Sequence, residues 1–183
     1  IYKRCVCRNN ITQELIQSIF YDMFGNPVNN EKEWTIEPLK NACKITMGQS
    51  PRGSSYNDGG KGMAFFQGKS EFGKKYPTVK KWTSEPNKLA MPKDTLISVR
   101  APVGTVNMCK DKCCVGRGLA SIRGIKVNDE FLFRYMQLSE KRIAKRGVGS
   151  TFKAITAKSL SSFEIICPPK ELQDKFKKII QQI

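Results

Sequence analysis

The sequence contains no histidine. That absence removes every mechanism built on imidazole: Ser-His-Asp and Cys-His triads, H-E-x-x-H metal sites and His-based pH switches. Acidic residues are also scarce, 16 Asp and Glu against 32 Lys and Arg, for a formal charge of +16 on 183 residues. No stretch reaches the roughly 18 uncharged apolar residues of a membrane span, and residues 1–10 lack the apolar core of a secretion signal. No membrane partner and a cytoplasmic location are the expectation. What is present is 39% hydrophobic residues on a chain of single-domain length, enough to build a core. The positive excess calls for a polyanionic partner, nucleic acid first.

Cysteines stand at positions 5, 7, 43, 109, 113, 114 and 167. Seven is an odd number, and their spacing is not that of a secreted disulfide framework, so free thiols in a reducing compartment are expected. Cys5-x-Cys7 and Cys109-x3-Cys113-Cys114 lack the C-x2-C spacing of a zinc knuckle, and no metal site is assigned.

The charge is unevenly distributed. Residues 1–33 carry four basic and four acidic groups, residues 34–168 carry 24 and 10, and residues 169–183 carry four and two. The excess therefore sits in the middle. The first piece reads as a helix with Asn10 as N-cap, Leu15, Ile19 and Met23 repeating every four residues, Ile16, Phe20 and Phe24 widening the stripe, and Gly25 as the stop. Residues 1–9 fit that helix poorly. The last piece opens on Pro168-Pro169 and repeats Leu172, Phe176, Ile179 and Ile183 at helical spacing, still running where the sequence ends.

In the middle, short β-branched or aromatic runs bounded by turn residues predict strands at Trp34–Leu39, Cys43–Met47, Met63–Gln67, Thr95–Arg100, Cys113–Arg123 and Phe163–Cys167. Helices are predicted at Asp129–Arg142, with Asp129 as N-cap, and at Thr156–Ser162. The fold class is α+β: a mixed-strand domain, 34–168, between an N-terminal helix with its linker, 1–33, and the start of a C-terminal helix of coiled-coil type, 169–183. Gly48–Gly62 and Gly68–Lys93 read as long surface loops of the kind that carry function.

Catalytic motifs fail on inspection. Gly68-Lys69-Ser70 would end a phosphate-binding loop only with a glycine at position 63, where Met63 stands. Cys167-Pro168-Pro169-Lys170 lacks both the amide and the aromatic of an amino-methyltransferase tetrad. No catalytic residue and no cofactor site is assigned to this chain.

The basic segments are more informative. Lys69, Lys74, Lys75, Lys80 and Lys81 interleave with Phe72, Tyr76 and Trp82, a pattern that suits phosphate contact and also suits a solvated loop held down by its aromatics. Lys145, Arg146 and Lys153 flank a Gly-Ser turn and suit phosphate contact or a helix C-terminus. Arg100 and Arg117 lie at strand ends beside Pro or Gly; pairing with a carboxylate inside the fold is favoured over contact with a base edge.

In order along the chain, Cys43-Lys-Ile-Thr-Met-Gly48-Gln-Ser-Pro51, Ala64-Phe-Phe-Gln-Gly68, Asp94-Thr-Leu-Ile-Ser-Val-Arg100-Ala-Pro-Val-Gly104, Val115-Gly-Arg-Gly-Leu-Ala-Ser-Ile122, Gly149-Ser-Thr-Phe-Lys-Ala-Ile155 and Phe163-Glu-Ile-Ile-Cys-Pro-Pro-Lys-Glu-Leu-Gln173 resemble a target-recognition domain. The family is the specificity subunit of type I restriction-modification systems. The resemblance covers nearly the whole chain and implies a non-catalytic reader of double-stranded DNA that takes one half of a split target. It also implies methyltransferase subunits docked through the helices and carrying adenosylmethionine, a recruited restriction subunit, and a homodimer if the chain is a half-subunit. On that footing Leu15, Ile19, Met23, Leu172, Phe176, Ile179 and Ile183 are expected to pack on partner helices. Lys69, Lys74, Lys75, Lys80, Lys81, Lys145, Arg146 and Lys153 are expected on phosphates, and Arg52, Gln67, Lys69 and Ser70 near base edges. A basic RNA-binding domain and an assembly adaptor without DNA specificity are the alternatives.

Overall fold

Two phenylalanines on one helix face set the arrangement of the helices. In the computed structural model, which describes the backbone of residues 2–149 and 153–183 and side chains from residue 12 onward, helix α1 runs from Tyr2 to Phe24. Asn10 is therefore interior to the helix and not its cap, and residues 2–9 continue the helix, contrary to their sequence pattern. Ile16, Phe20 and Phe24, spaced by four, share the buried face. The helix ends at Gly25, whose φ of 77° is a left-handed stop and whose N–H donates to the Tyr21 carbonyl at 2.8 Å. The Trp34 indole N–H caps the Phe24 carbonyl at 2.9 Å.

Phe20 and Phe24 meet Phe131 of α3 (Asp129–Leu138) and Phe176 of α6 (Lys170–Ile180), with ring centroids 4.8–5.6 Å apart across the helices. All four rings are fully buried. Asn128, one residue ahead of the predicted cap, starts α3 by accepting the Phe131 N–H at 2.8 Å, and Asp129 and Glu130 place negative charge at its first turn. Gln173 of α6 is completely buried; it accepts the Asn128 N–H at 2.7 Å and donates to the Pro168 carbonyl at 2.8 Å. The helix predicted through Arg142 breaks at Ser139 into α3 and α4 (Glu140–Lys145).

Strand β1 (Ile36–Pro38) and the one-turn α2 (Leu39–Ala42) lead into β2 (Cys43–Met47). The two presumed loops contain short ordered strands: β3 (Tyr56–Asn57), β5 (Lys81–Thr83) and β6 (Leu89–Ala90), around β4 (Met63–Phe66). Then come β7 (Thr95–Ser98), β8 (Val106–Met108), β9 (Cys113–Val115) and β10 (Leu119–Gly124), and after α4 the short α5 (Ala157–Ser161) and β11 (Glu164–Ile166). One sheet is antiparallel in the order β2-β10-β7-β8. A second has the order β3-β5-β4-β9-β6 with β4 and β9 parallel, and β1 pairs with β11.

The four-stranded sheet is covered on both faces. Ile97, Ala120 and Ile122 join the helix-side core, whereas their neighbours Leu96 and Leu119 join a second core with Phe66, Ala90, Cys113 and Val115 from the other sheet and Cys109 just after β8. β-Strand alternation thus assigns consecutive residues to two different cores. The run predicted as one strand, Cys113–Arg123, is two: β9 belongs to one sheet, β10 to the other, and Gly116-Arg117-Gly118 carries the chain across.

Candidate nucleic-acid interface

The ends of β2, β4, β7 and β9 and the start of β10 lie at one end of the paired sheets, and the turns leaving them form a common crest. Its centre is the Gly116-Arg117-Gly118 turn. Gly116 N–H donates to the Phe66 carbonyl at 2.8 Å, Val99 N–H to the Gly118 carbonyl at 2.9 Å, and Gln49 N–H to the Val115 carbonyl at 3.0 Å. Three strand-end turns are thereby tied to one another by backbone. The packing is tight at the glycines. A Cβ on Gly116 would lie 3.0 Å from the Phe65 ring and 3.1 Å from Gln67 Cα, and one on Gly118 would overlap the Gln67 carbonyl oxygen. Gly48 is equally enclosed by the Gly116 and Leu119 carbonyls.

The side chains on these turns point to solvent: Gln49, Arg52, Gln67, Lys69, Ser70, Arg100 and Arg117 are all exposed. Lys80 and Lys81 sit at the Phe66 end of β4, across from Phe65, and Lys80 Nζ donates to the Ser70 carbonyl at 3.1 Å. On the opposite flank Arg100 and Val148 each bridge to Ala154, and Ile155 N–H donates to the Val99 carbonyl, which brings exposed Lys145 and Lys153 toward Arg100. Among the described residues Arg52, Lys69, Lys81, Arg100, Arg117 and Lys153 have no ion-pair partner. For Arg100 and Arg117 this overturns the internal pairing favoured from sequence; the internal carboxylate, Asp94, is taken by Arg123 instead.

The other basic positions are placed differently. Lys75 lies over the far end of β8, where its carbonyl accepts the Met108 N–H, and its ammonium contacts both Glu130 carboxylate oxygens at 3.2 and 3.3 Å. Lys74, beside it, is exposed and also away from the crest. Arg146 is half-buried with its guanidinium 5.1 Å from the Phe163 ring centroid. Lys75 and Arg146 are thus engaged within the fold, whereas Lys74 is free but set away from the crest. Ser150 to Phe152 lie outside the described residues.

Of the expected helix-packing residues, Phe176 is fully buried within the chain and offers no surface. Leu15 and Ile183 are exposed, while Ile19, Met23, Leu172 and Ile179 are half-buried. With Trp34, the last four line a groove of about 580 Å³ between α1 and α6, edged by Asp22, Lys32 and Lys175. Of the cysteines, Cys43, Cys109, Cys113 and Cys114 are buried and Cys167 is half-buried; the side chains of Cys5 and Cys7 lie outside the described residues. Burial pushes the Cys43 thiol up to about 12, and Cys113 is raised chiefly by its contact with Cys109, Sγ to Sγ 3.4 Å. Among the described residues no helix is long and apolar enough to cross a membrane.

A mixed α+β domain with a basic, amide-bearing crest on glycine-tied turns is the architecture of a DNA specificity domain. The chain belongs to the type I restriction modification DNA specificity domain family, whose model matches residues 31–183. A Methanocaldococcus jannaschii protein assigned as the MjaX type I restriction enzyme specificity subunit is 46% identical over 156 residues, 83% of this chain and 37% of that protein. The HsdS subunit of Thermoanaerobacter tengcongensis has the same fold, with a TM-score of 0.77 and 39% identity over 94% of this chain and 43% of that one. A chain from a structural study of type I restriction-modification complex assembly gives a TM-score of 0.80 at 38% identity, covering 99% of this chain and 46% of that one. This chain therefore spans less than half the length of each of these relatives.

Proposed function

We propose that this chain is a DNA-reading unit of a type I specificity subunit, without chemistry of its own. It recognises one half of a two-part target and directs methyltransferase subunits, which carry adenosylmethionine, and a restriction subunit to that site. The observation that carries this reading is the crest: cations without ion-pair partners on two flanks and, between them, amides and a free guanidinium on turns fixed by backbone bonds. Lysines on the flanks neutralise phosphates and give affinity that falls with salt, while the centre faces the groove. Two such units are needed for a split target, supplied by a second domain of a longer chain or by a homodimer.

Replacing Lys69, Lys80 and Lys81 together by Ala is expected to weaken binding to target and random duplex alike and to lower the salt slope by roughly 2–3, close to 0.9 per lost phosphate contact. Binding isotherms at several salt concentrations measure this, and an unchanged slope refutes the flank assignment. Lys75 is left out of the set because its loss would leave Glu130 with Arg134 alone.

We place methyltransferase docking on the α1/α6 groove, lined by the half-buried Ile19, Met23, Trp34, Leu172 and Ile179. Ile19→Ala with Leu172→Ala should sharply weaken co-purification with the methyltransferase subunit and leave duplex binding within about twofold; both side chains are half-buried against the core, so a thermal melt checks that the fold survives. Retained co-purification would move the docking surface elsewhere.

A further inference from the structure

We infer that Arg117 is a base-reading residue, and that it recognises a guanine edge in the major groove; the inference rests on the DNA-reading function proposed above. Three features separate it from the other free cations. It is central: its turn lies between the Gln67 turn, joined through Gly116 N–H to the Phe66 carbonyl, and the Arg100 turn, joined through the Gly118 carbonyl to Val99 N–H. Its flanks are lysine-bearing on both sides, so a duplex whose phosphates meet those lysines presents its groove to the middle.

Its mounting is also rigid. A Cβ at Gly118 would overlap the Gln67 carbonyl oxygen and one at Gly116 would press on the Phe65 ring, and the Arg117 N–H lies 3.4 Å from Ser50 Oγ. The backbone is held while the side chain stays exposed and unpaired. Phosphate contact needs only a flexible point charge, which the surrounding lysines supply. A planar guanidinium on a fixed platform suits two parallel hydrogen bonds, to O6 and N7 of guanine. The amides of Gln49 and Gln67, on the adjoining tied turns, suit the N6 and N7 edge of a neighbouring adenine.

The test uses the assembled specificity–methyltransferase complex and its target duplex, identified by mapping methylated sites in cells with and without the gene. Arg117→Ala is expected to reduce affinity for the target about 10- to 100-fold, leaving scrambled duplex and the salt slope unchanged. Arg117→Lys should recover only part of the loss. Replacing one target guanine by 7-deazaguanine should reproduce the loss in the unsubstituted protein and add little in Arg117→Ala. Equal losses on target and scrambled duplex with a shallower salt slope would make Arg117 a phosphate contact and overturn the inference, as would an unchanged affinity. A complex that prefers no duplex at all would instead refute the DNA-reading function itself. A thermal melt of Arg117→Ala matching the unsubstituted chain confirms that a lost contact, and not a lost fold, is being read.

Discussion

Phe20→Ala is expected to lower the free energy of unfolding by about 3–5 kcal/mol, the usual cost of emptying a buried phenylalanine site. The ring is completely buried and touches Phe24, Phe131 and Phe176, so its removal opens a void where α1, α3 and α6 converge. The void cannot close cheaply, because the three remaining rings are held by separate helices and the Asn128–Gln173 bond fixes α3 against α6. Urea titration followed by far-ultraviolet circular dichroism measures the effect as a lower midpoint with an unchanged slope. A loss below about 1 kcal/mol, less than typical core truncation, would show that α1 is not integral to this core. Stability of small domains is itself only about 5–15 kcal/mol, so this single truncation removes a large share of it.

Asp94→Ala is expected to cost about 2–4 kcal/mol by a different route, the loss of a buried acceptor. Asp94 opens β7 and is almost fully buried. Its carboxylate accepts Arg123 Nε at 2.7 Å and Nη2 at 3.0 Å, Ser121 Oγ at 2.7 Å and the Met91 N–H at 2.9 Å. Truncation leaves Ser121 and the Met91 amide without partners. Arg123 is about half exposed, 46%, so water takes over part of its solvation, and the cost stays below that of a fully buried pair. The same urea titration measures it. Asp94→Asn keeps one acceptor oxygen, enough for Ser121 and the Met91 N–H, but turns an amide donor toward Arg123, and should lose about half as much; a loss as large as that of Ala would mean the charge dominates.

The parts of this architecture that were legible in sequence are those with a long period. The α1 stripe, its Gly25 stop, β2 and the helical repeat after Pro169 follow from spacing, because burial of one face imposes it. What escaped has no period to detect. β3 and β6 are two residues each, and they are strands only because β5 and β9 lie beside them. Asn10 resembles a cap by residue type, yet the backbone runs on through it. Phe176 shares helical spacing with Leu172 and Ile179, and spacing alone cannot tell an internal partner from an external one.

The charges divide along the same line. Lys75 and Lys81 look alike in sequence, but Glu130, 55 positions further on, takes one and leaves the other free. Arg117, at a strand end beside glycine, is expected from sequence to pair inside the fold, yet it stands exposed on the turn that divides the predicted Cys113–Arg123 strand. The signal available was the glycine pair itself: two glycines around an arginine break a strand, and the break is what exposes the side chain. Gln49 and Arg100 on the crest gave no comparable sign.

The crossing from β9 to β10 separates two kinds of information. Neither hydrophobic core contains a side chain from the exposed crest, since Gln49, Gln67, Arg100 and Arg117 stand outside both. A substitution at these positions consequently changes what the crest presents with little penalty to folding, whereas the glycines that hold the platform, Gly48 and Gly118 above all, admit almost none. Loss of binding and loss of fold are therefore separable by position: the first is reached through the exposed side chains, the second through the turns beneath them.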